Sequence, residues 1–227
     1  MTNDRRQELK ARKQAYVQDE ILLSAVSLFA RRGFRAVTID DIASNLGYTK
    51  SVVYYYFRSK SEILWQVFTR NYDDYFRMIT SVTGLGLDPK ETMSKLITEH
   101  ALHVMQRPEW NAIYYRDESE LDEKQRRQMA MRKREYDAKL ELIYGEGVEK
   151  GEFRAIPPGV AVRAILGMIN SLYTWFKPDG ALPAPVIAKH CVEMLMDGFV
   201  IPSKLEPLAT SRNAATLGDA GRITICS

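Results

Sequence analysis

Residues Thr38–Lys60 read TIDDIASNLGYTKSVVYYYFRSK, and no other part of the chain constrains the architecture as tightly. Thr38 followed by Asp41 is a threonine N-cap with an acid three residues on. It predicts a two-turn helix carrying Ile42, Ala43 and Leu46 on one side. Ala43 is small enough to let a second helix cross closely. Gly47 permits the sharp turn that ends the first helix. Thr49 stands where an N-cap would open a second helix, Lys50 to about Phe57. Two short helices joined by a glycine-containing turn form a helix-turn-helix, whose second helix enters the DNA major groove. Val53 and Phe57, four apart, are expected to face inward, leaving Lys50, Ser51 and Tyr55 outside.

The outward residues have chemistry suited to a duplex. Lys50 and Ser51 lie at the start of the recognition helix, where base edges are reached. A lysine donates to guanine N7 and O6. Tyr55 can stack on a sugar or a thymine methyl. Tyr56 and Lys60 are placed to hold phosphates, which orient a protein without reading sequence.

Away from this stretch the apolar residues keep helical spacing between glycines and prolines, with no convincing strand. Ile21, Leu22, Ala25, Leu28 and Phe29 form a stripe that ends at Arg31-Arg32-Gly33, cations followed by a residue able to take the left-handed cap. Ser59-Lys60-Ser61-Glu62 reads as a capping box before a stripe running from Leu64 to Ile79. Asp88-Pro89-Lys90-Glu91 supplies an N-cap, a first-turn proline and an acid. Ser119 or Asp122 caps a long charged helix through Lys150. Two further helices carry Ala161 to Phe176 and Ile187 to Phe199. The chain therefore reads as all-α, about nine helices. A basic arm occupies 1–17 and a helix-turn-helix head 18–68. A helical ligand-binding and dimerisation domain follows at 69–202, and a flexible tail at 203–227.

Phe29–Phe34 (FARRGF), Thr38 four residues before Ile42-Ala43, Gly47, the Val53–Phe57 run, Lys60 and Leu64 together resemble the TetR/AcrR family of bacterial regulators. That resemblance implies a dimeric DNA-binding protein whose body binds an inducer. By the same resemblance Lys50, Ser51 and Tyr55 face bases, and Thr38, Tyr56 and Lys60 face phosphates. Some relatives carry a base-reading arginine at the position of Asp40, and this chain departs from them there. The family places the dimer surface on the last two helices, where Gly167, Ser171 and Gly198 allow close approach and two helices per subunit make a four-helix bundle. It places the inducer among the helices of residues 89–105, 108–117, 122–150 and 159–176. The candidate wall residues are His100, Trp110, Tyr114, Met129, Arg132, Tyr136, Met168 and Trp175. The runs Gly145–Arg154 and Met168–Gly180 resemble the subset that senses acyl-CoA thioesters, with Arg126, Arg127, Arg132 and Arg134 as expected partners for CoA phosphates. The expected inducer is thus an acyl-CoA or another amphipathic organic acid. A drug-like or aromatic ligand, or activation in place of repression, is the alternative on the same fold.

Composition fits that reading and narrows the rivals. The 227 residues are 45% apolar and 27% charged, ordinary for a globular chain, with a net charge of +3. That sum hides an asymmetry. Residues 1–60 hold 11 Lys/Arg against 6 Asp/Glu, and residues 61–227 hold 21 against 23. A basic head on a faintly acidic body is expected where one end meets a polyanion. The basic arm, with Arg5, Arg6, Lys10, Arg12 and Lys13, is a candidate for minor-groove contact. The longest uncharged stretch, Ala164–Phe176, is thirteen residues, short of the ~20 that span a bilayer. Charges interrupt the N-terminus where a signal peptide is apolar. Cys191 and Cys226 are too far apart for a metal or redox spacing. The expectation is a cytoplasmic protein without cofactor, metal or membrane partner. An enzyme is disfavoured: there are three histidines, no GxSxG, and a Gly145-Glu146-Gly147 run that follows no strand. His100 and His103, three apart, lack a third ligand at convincing spacing.

Overall fold

A computed structural model describes residues 3–197. Within them lie ten α-helices: α1 (Asn3–Arg32), α2 (Ile39–Asn45), α3 (Lys50–Tyr56), α4 (Lys60–Thr83), α5 (Pro89–Gln106), α6 (Pro108–Arg116), α7 (Glu123–Glu149), α8 (Pro158–Asn170), α9 (Leu172–Trp175) and α10 (Ala184–Asp197). The all-α expectation holds. α9 is one turn that continues α8 past Ser171, so the two correspond to the single helix expected over 159–176. The expected tail, 203–227, lies outside the described residues, as do Gly198 and Phe199.

The helix boundaries follow from capping chemistry. Thr38 opens α2 with a full capping box, accepting from the Asp41 N–H while the Asp41 carboxylate accepts from the Thr38 N–H. Asp88 accepts from the Glu91 N–H ahead of Pro89. Asp122 makes a reciprocal box with Gln125 at the start of α7. At α4 only half of the expected box forms: Ser59 accepts from the Glu62 N–H, but the Glu62 carboxylate turns to the Arg58 N–H, 2.6 Å away. Gly33 and Gly47 both take positive φ, 83° and 68°, ending α1 and turning α2 into α3. That backbone region costs a side-chain-bearing residue energy and glycine little.

The expected arm is not a separate segment. Residues 3–17 form the first turns of a continuous 30-residue α1. From Gln7 to Tyr16 the chain contains only good or tolerable helix formers, with no glycine, proline or β-branched residue to stop it.

The core is one apolar body. In the head, Ile21, Leu22, Ala25 and Phe29 of α1 meet Ile42 and Ala43 of α2, Val53 of α3, Phe57, and Ile63, Leu64, Val67 and Phe68 of α4, all buried. α4 then leaves the head and runs into the body, where it packs on α5, α6 and α7. There α7 lies along α8, and α10 lies along α5. α1 also touches α6, and Arg35 of the head pairs with Glu120 of the body at 2.7 Å.

Candidate DNA interface and ligand cavity

The helix-turn-helix forms as the spacing predicts. Val53 and Phe57 are buried, while Lys50, Ser51, Tyr54 and Tyr55 lie at the surface and Tyr56 is half-buried. Tyr55 and Tyr56 meet edge to face, ring centres 5.0 Å apart. Thr49 sits at the N-cap of α3 in extended geometry, but its hydroxyl makes no cap bond. Tyr48, in the turn, donates to the Glu20 carboxylate of α1 at 2.8 Å, and Asn45 donates to the Ser24 hydroxyl at 3.0 Å. These bonds fix the orientation of α2 and α3 on α1.

Three residues carry more local chemistry than their expected roles. Lys50 pairs with Asp40 at 2.8 Å, both side chains exposed, so the surface presents a cation and a carboxylate side by side. The exposed Thr38 hydroxyl donates to Asp41 at 2.6 Å. Asp41 also binds Arg32 at 3.0 Å, and its carboxyl falls to about 2, chiefly through the Thr38 bonds. Lys60, the expected phosphate contact, has its ammonium directed to main-chain carbonyls in this structure. Its ammonium donates to the carbonyls of Phe34 (2.8 Å) and Val37 (2.7 Å), with Arg35 at 3.4 Å. It also lies 4.3 Å from the centre of the Phe34 ring. Its three protons are engaged in fastening the α1–α2 turn to the start of α4.

In the body a cavity of about 210 Å³ is walled by Tyr72 and Tyr75 of α4, His100 of α5, Tyr114 and Tyr115 of α6, Lys133, Tyr136 and Asp137 of α7, and Leu166 and Asn170 of α8. His100 sits at its centre of hydrogen bonding. Nε2 is 2.9 Å from Asn170 Oδ1, which only accepts, so Nε2 carries the proton and Nδ1 accepts from the Tyr136 hydroxyl at 3.0 Å. Burial lowers the imidazole from 6.5 to about 4, so it is neutral at physiological pH. The Tyr75 hydroxyl donates to Asn111 at 2.8 Å, and burial drives its pKa up, as it does for Tyr114 and Tyr136. Lys133 pairs with Glu118 at 2.8 Å and lies over the Tyr114 ring. The wall is therefore largely aromatic, with the neutral His100 and Asn170, a Lys133 already paired to Glu118, and the half-buried Asp137 carboxylate, whose pKa burial raises and which has no cation within salt-bridge distance among the described residues.

Of the eight expected wall residues, His100, Tyr114 and Tyr136 meet at this cavity. Met129 is packed into the core instead, fully buried. Trp110 lines a separate open groove of about 1130 Å³ between α1, α4, α5, α6 and the start of α10. Met168 and Trp175 line an apolar cleft of about 420 Å³ formed by α8, α9 and α10. Arg132 faces away from the cavity: it pairs with Asp73 at 2.9 Å and lies over the Tyr72 ring. The other arginines of α7 do not converge either. Arg126 donates to the Leu121 carbonyl, Arg127 pairs with Glu123, and Arg134 is exposed. Sequence reasoning missed Tyr72, Tyr75, Tyr115, Lys133, Asp137, Leu166 and Asn170. Tyr72 and Tyr75 were visible as members of the α4 stripe, but nothing local showed that the stripe borders a cavity.

Among the described residues no group of three or more His, Cys, Asp or Glu is placed to hold a metal. No described helix is long and apolar enough to cross a membrane.

A helix-turn-helix head carried on a helical body with an aromatic pocket is the organisation of a one-component transcription regulator. Comparison with known proteins agrees: residues 21–67 match the family of bacterial regulatory proteins, tetR family, and residues 86–199 match the tetracyclin repressor-like C-terminal domain. The chain belongs to the TetR family of transcriptional regulators. It is 27% identical over 192 residues to the HTH-type transcriptional repressor KstR2 of Rhodococcus jostii, covering 81% of this chain and 91% of that one. Among solved structures it is similar to the regulator PfmR of Thermus thermophilus (27% identity, TM-score 0.74, 80% of this chain and 99% of that one). It is also similar to AibR, whose structure is with isovaleryl coenzyme A and operator DNA (26% identity, TM-score 0.72, 80% and 99%). These relatives are regulators, not enzymes.

Proposed function

We propose that this chain is a ligand-responsive repressor that binds a palindromic operator as a homodimer and is released by an acyl-CoA thioester or another amphipathic organic acid. The observation that carries the reading is the placement of the cavity. Its walls come from α4, which enters the head, from α6, which touches α1, and from α8, which borders the apolar cleft. A molecule held there touches α4 and α6, which reach the head, and α8, one of the two helices assigned to the dimer. The aromatic lining suits an acyl or ring-bearing group, and the neutral His100, Tyr136 and Asn170 suit a carbonyl or hydroxyl. A cavity of about 210 Å³ accommodates the acyl part and leaves a nucleotide outside. The relation to AibR favours the same class of ligand.

The homodimer is assigned to α8 and α10. Trp175 and Leu182 are about half exposed there, beside half-buried Met168, Ile187 and Met194. A contiguous apolar surface of this kind marks an interface, and Gly167 and Ser171 on it permit close approach. Two-fold symmetry then matches a palindrome with half-sites about one helical turn apart or a small multiple. On DNA, Lys50, Ser51 and Tyr55 are proposed to read bases, with Thr38 and Tyr56 at phosphates.

The test is a thermal-shift panel of acyl-CoA thioesters, free acids and cationic drugs, followed by operator-binding titrations with each hit. Stabilisation by acyl-CoA compounds, with weakened operator binding, is expected. A response to cationic drugs alone would overturn the ligand class.

A further inference from the structure

The first half of α1 has no packing reason to exist. From Arg5 to Tyr16 every side chain except Gln14 is exposed, so burial does not hold this stretch in place. It carries Arg5, Arg6, Lys10, Arg12 and Lys13 against Glu8, and none of the five cations has a carboxylate within salt-bridge distance among the described residues. Its direction is nevertheless fixed. Three bonds at successive positions of α1 tie it to the helix-turn-helix. Asn45 donates to Ser24, Tyr48 to Glu20, and Gln14 donates through Nε2 to the Tyr55 hydroxyl at 3.0 Å. The last bond places Gln14 at the outward-facing residue of the recognition helix.

A helix advances about 1.5 Å per residue with 3.6 residues per turn. Arg6, Lys10 and Lys13, spaced i, i+4 and i+7, therefore line the flank of α1 on the Gln14 side, extending about 12 Å beyond it. Arg5 and Arg12 lie on the far side. From this arrangement we infer that Arg6, Lys10 and Lys13 form a second DNA-binding surface. It contacts phosphates of the duplex flanking the half-site that the helix-turn-helix reads. It is a rigid basic helix laid over the backbone, in place of an extended arm in the minor groove. The surface rests on the reading of α3 as a recognition helix. Phosphate contacts of this kind add affinity and salt dependence without base preference.

The experiment uses the full-length protein and an operator duplex recovered by selection from random DNA, prepared in two lengths. One ends at the half-sites; the other adds about one helical turn on each side. Wild type should bind the longer duplex more tightly, by about tenfold or more at low salt, and with a steeper salt dependence. The R6Q/K10Q/K13Q variant should lose that advantage, its salt slope on the longer duplex flattening by about 2.7 per head (0.9 for each phosphate contact). It should still bind the short duplex as wild type does. The R5Q/R12Q variant should retain the length dependence. The inference is overturned if the triple variant keeps the advantage, or if both variants lose it equally. Failure of wild type to bind either duplex would instead overturn the assignment of α3.

Discussion

Lys60 shows how a single ammonium can be read in two ways. Its position one residue into α4 suggests a phosphate contact, yet its protons go to the carbonyls of the turn that joins α1 to α2. Partial burial lowers its pKa, as expected of a cation drawn in among main-chain carbonyls. Lys60→Met should leave the Phe34 and Val37 carbonyls without a donor at a cost of about 1–3 kcal/mol. In a chain of this size that lowers the Tm by roughly 2–12 °C. Loss of operator affinity with an unchanged Tm would restore the phosphate role. Tyr55 makes the opposite case: it is two-thirds exposed, with one hydrogen bond, from Gln14, and an edge-to-face contact with Tyr56. Tyr55→Ala should leave the Tm within error, weaken operator binding, and relax base preference in a selection experiment. His100 yields a pH prediction. Its folded pKa of about 4 lies below its ordinary 6.5, so the unfolded chain binds the extra proton first as pH falls. Its contribution to stability is whole above 6.5 and is lost progressively from 6.5 down to about 4. By pH 5 the loss is on the order of 2 kcal/mol. His100→Gln should flatten the fall of Tm between pH 7 and 5, leaving the part due to the similarly lowered His103.

At the scale of elements, the end of α7 explains a glycine run that otherwise invites a phosphate-loop reading. The helix runs through Gly145 and Gly147 to Glu149, and Gly151 turns the chain back with φ +73°. Phe153 then folds onto the helix and stacks on Tyr144, ring centres 5.0 Å apart. A Cβ on Gly147 would stand 2.2 Å from that ring. Gly147→Ala gains helix propensity yet must expel Phe153, so a net loss of about 1–3 kcal/mol is expected in a denaturant titration. A neutral or stabilising result would show that Phe153 contributes nothing there. This contrast also explains what was legible in the sequence. Caps such as Thr38–Asp41, Ser59–Glu62 and Asp88–Glu91 are local, within four residues, so spacing alone located the starts of these helices. The helix-turn-helix was legible for the same reason. The cavity was not, because His100 finds Asn170 seventy residues away and Arg132 finds Asp73 fifty-nine away. An aromatic or methionine at helical spacing packs equally well into core, cleft or cavity. Only the crossing of α4, α5, α7 and α8 decides which, and that sent Met129 to the core and Trp175 to the surface.

Across the whole molecule, two helices of the cavity wall reach the head, beside the ion pair of Glu120 with Arg35 at 2.7 Å. One is α4, with Tyr72 and Tyr75 at the cavity and Lys60 at the α1–α2 turn. The other is α6. Tyr114 and Tyr115 form part of the cavity wall, and the next residue, Arg116, donates to the carbonyls of Phe29 (2.6 Å) and Ala30 (3.0 Å) in the last turn of α1. Asp117 holds the guanidinium in place at 2.8 Å. A ligand can shift the DNA-binding equilibrium only by binding the two conformers unequally. It therefore has to move a part that reaches the head, and Arg116 couples the tyrosines of the wall to the C-terminal end of α1 through two hydrogen bonds. Arg116→Met keeps the aliphatic stem and removes both bonds. It should leave the ligand's thermal shift in place and operator affinity without ligand within a few-fold of wild type. The factor by which a saturating acyl-CoA weakens operator binding, typically 5–150-fold in coupled systems, should collapse toward one. The measurement is fluorescence anisotropy on the operator with and without the compound that gives the largest shift. An unchanged factor would move the coupling off Arg116, to α4 with Lys60 as its contact in the head or to the Arg35–Glu120 pair.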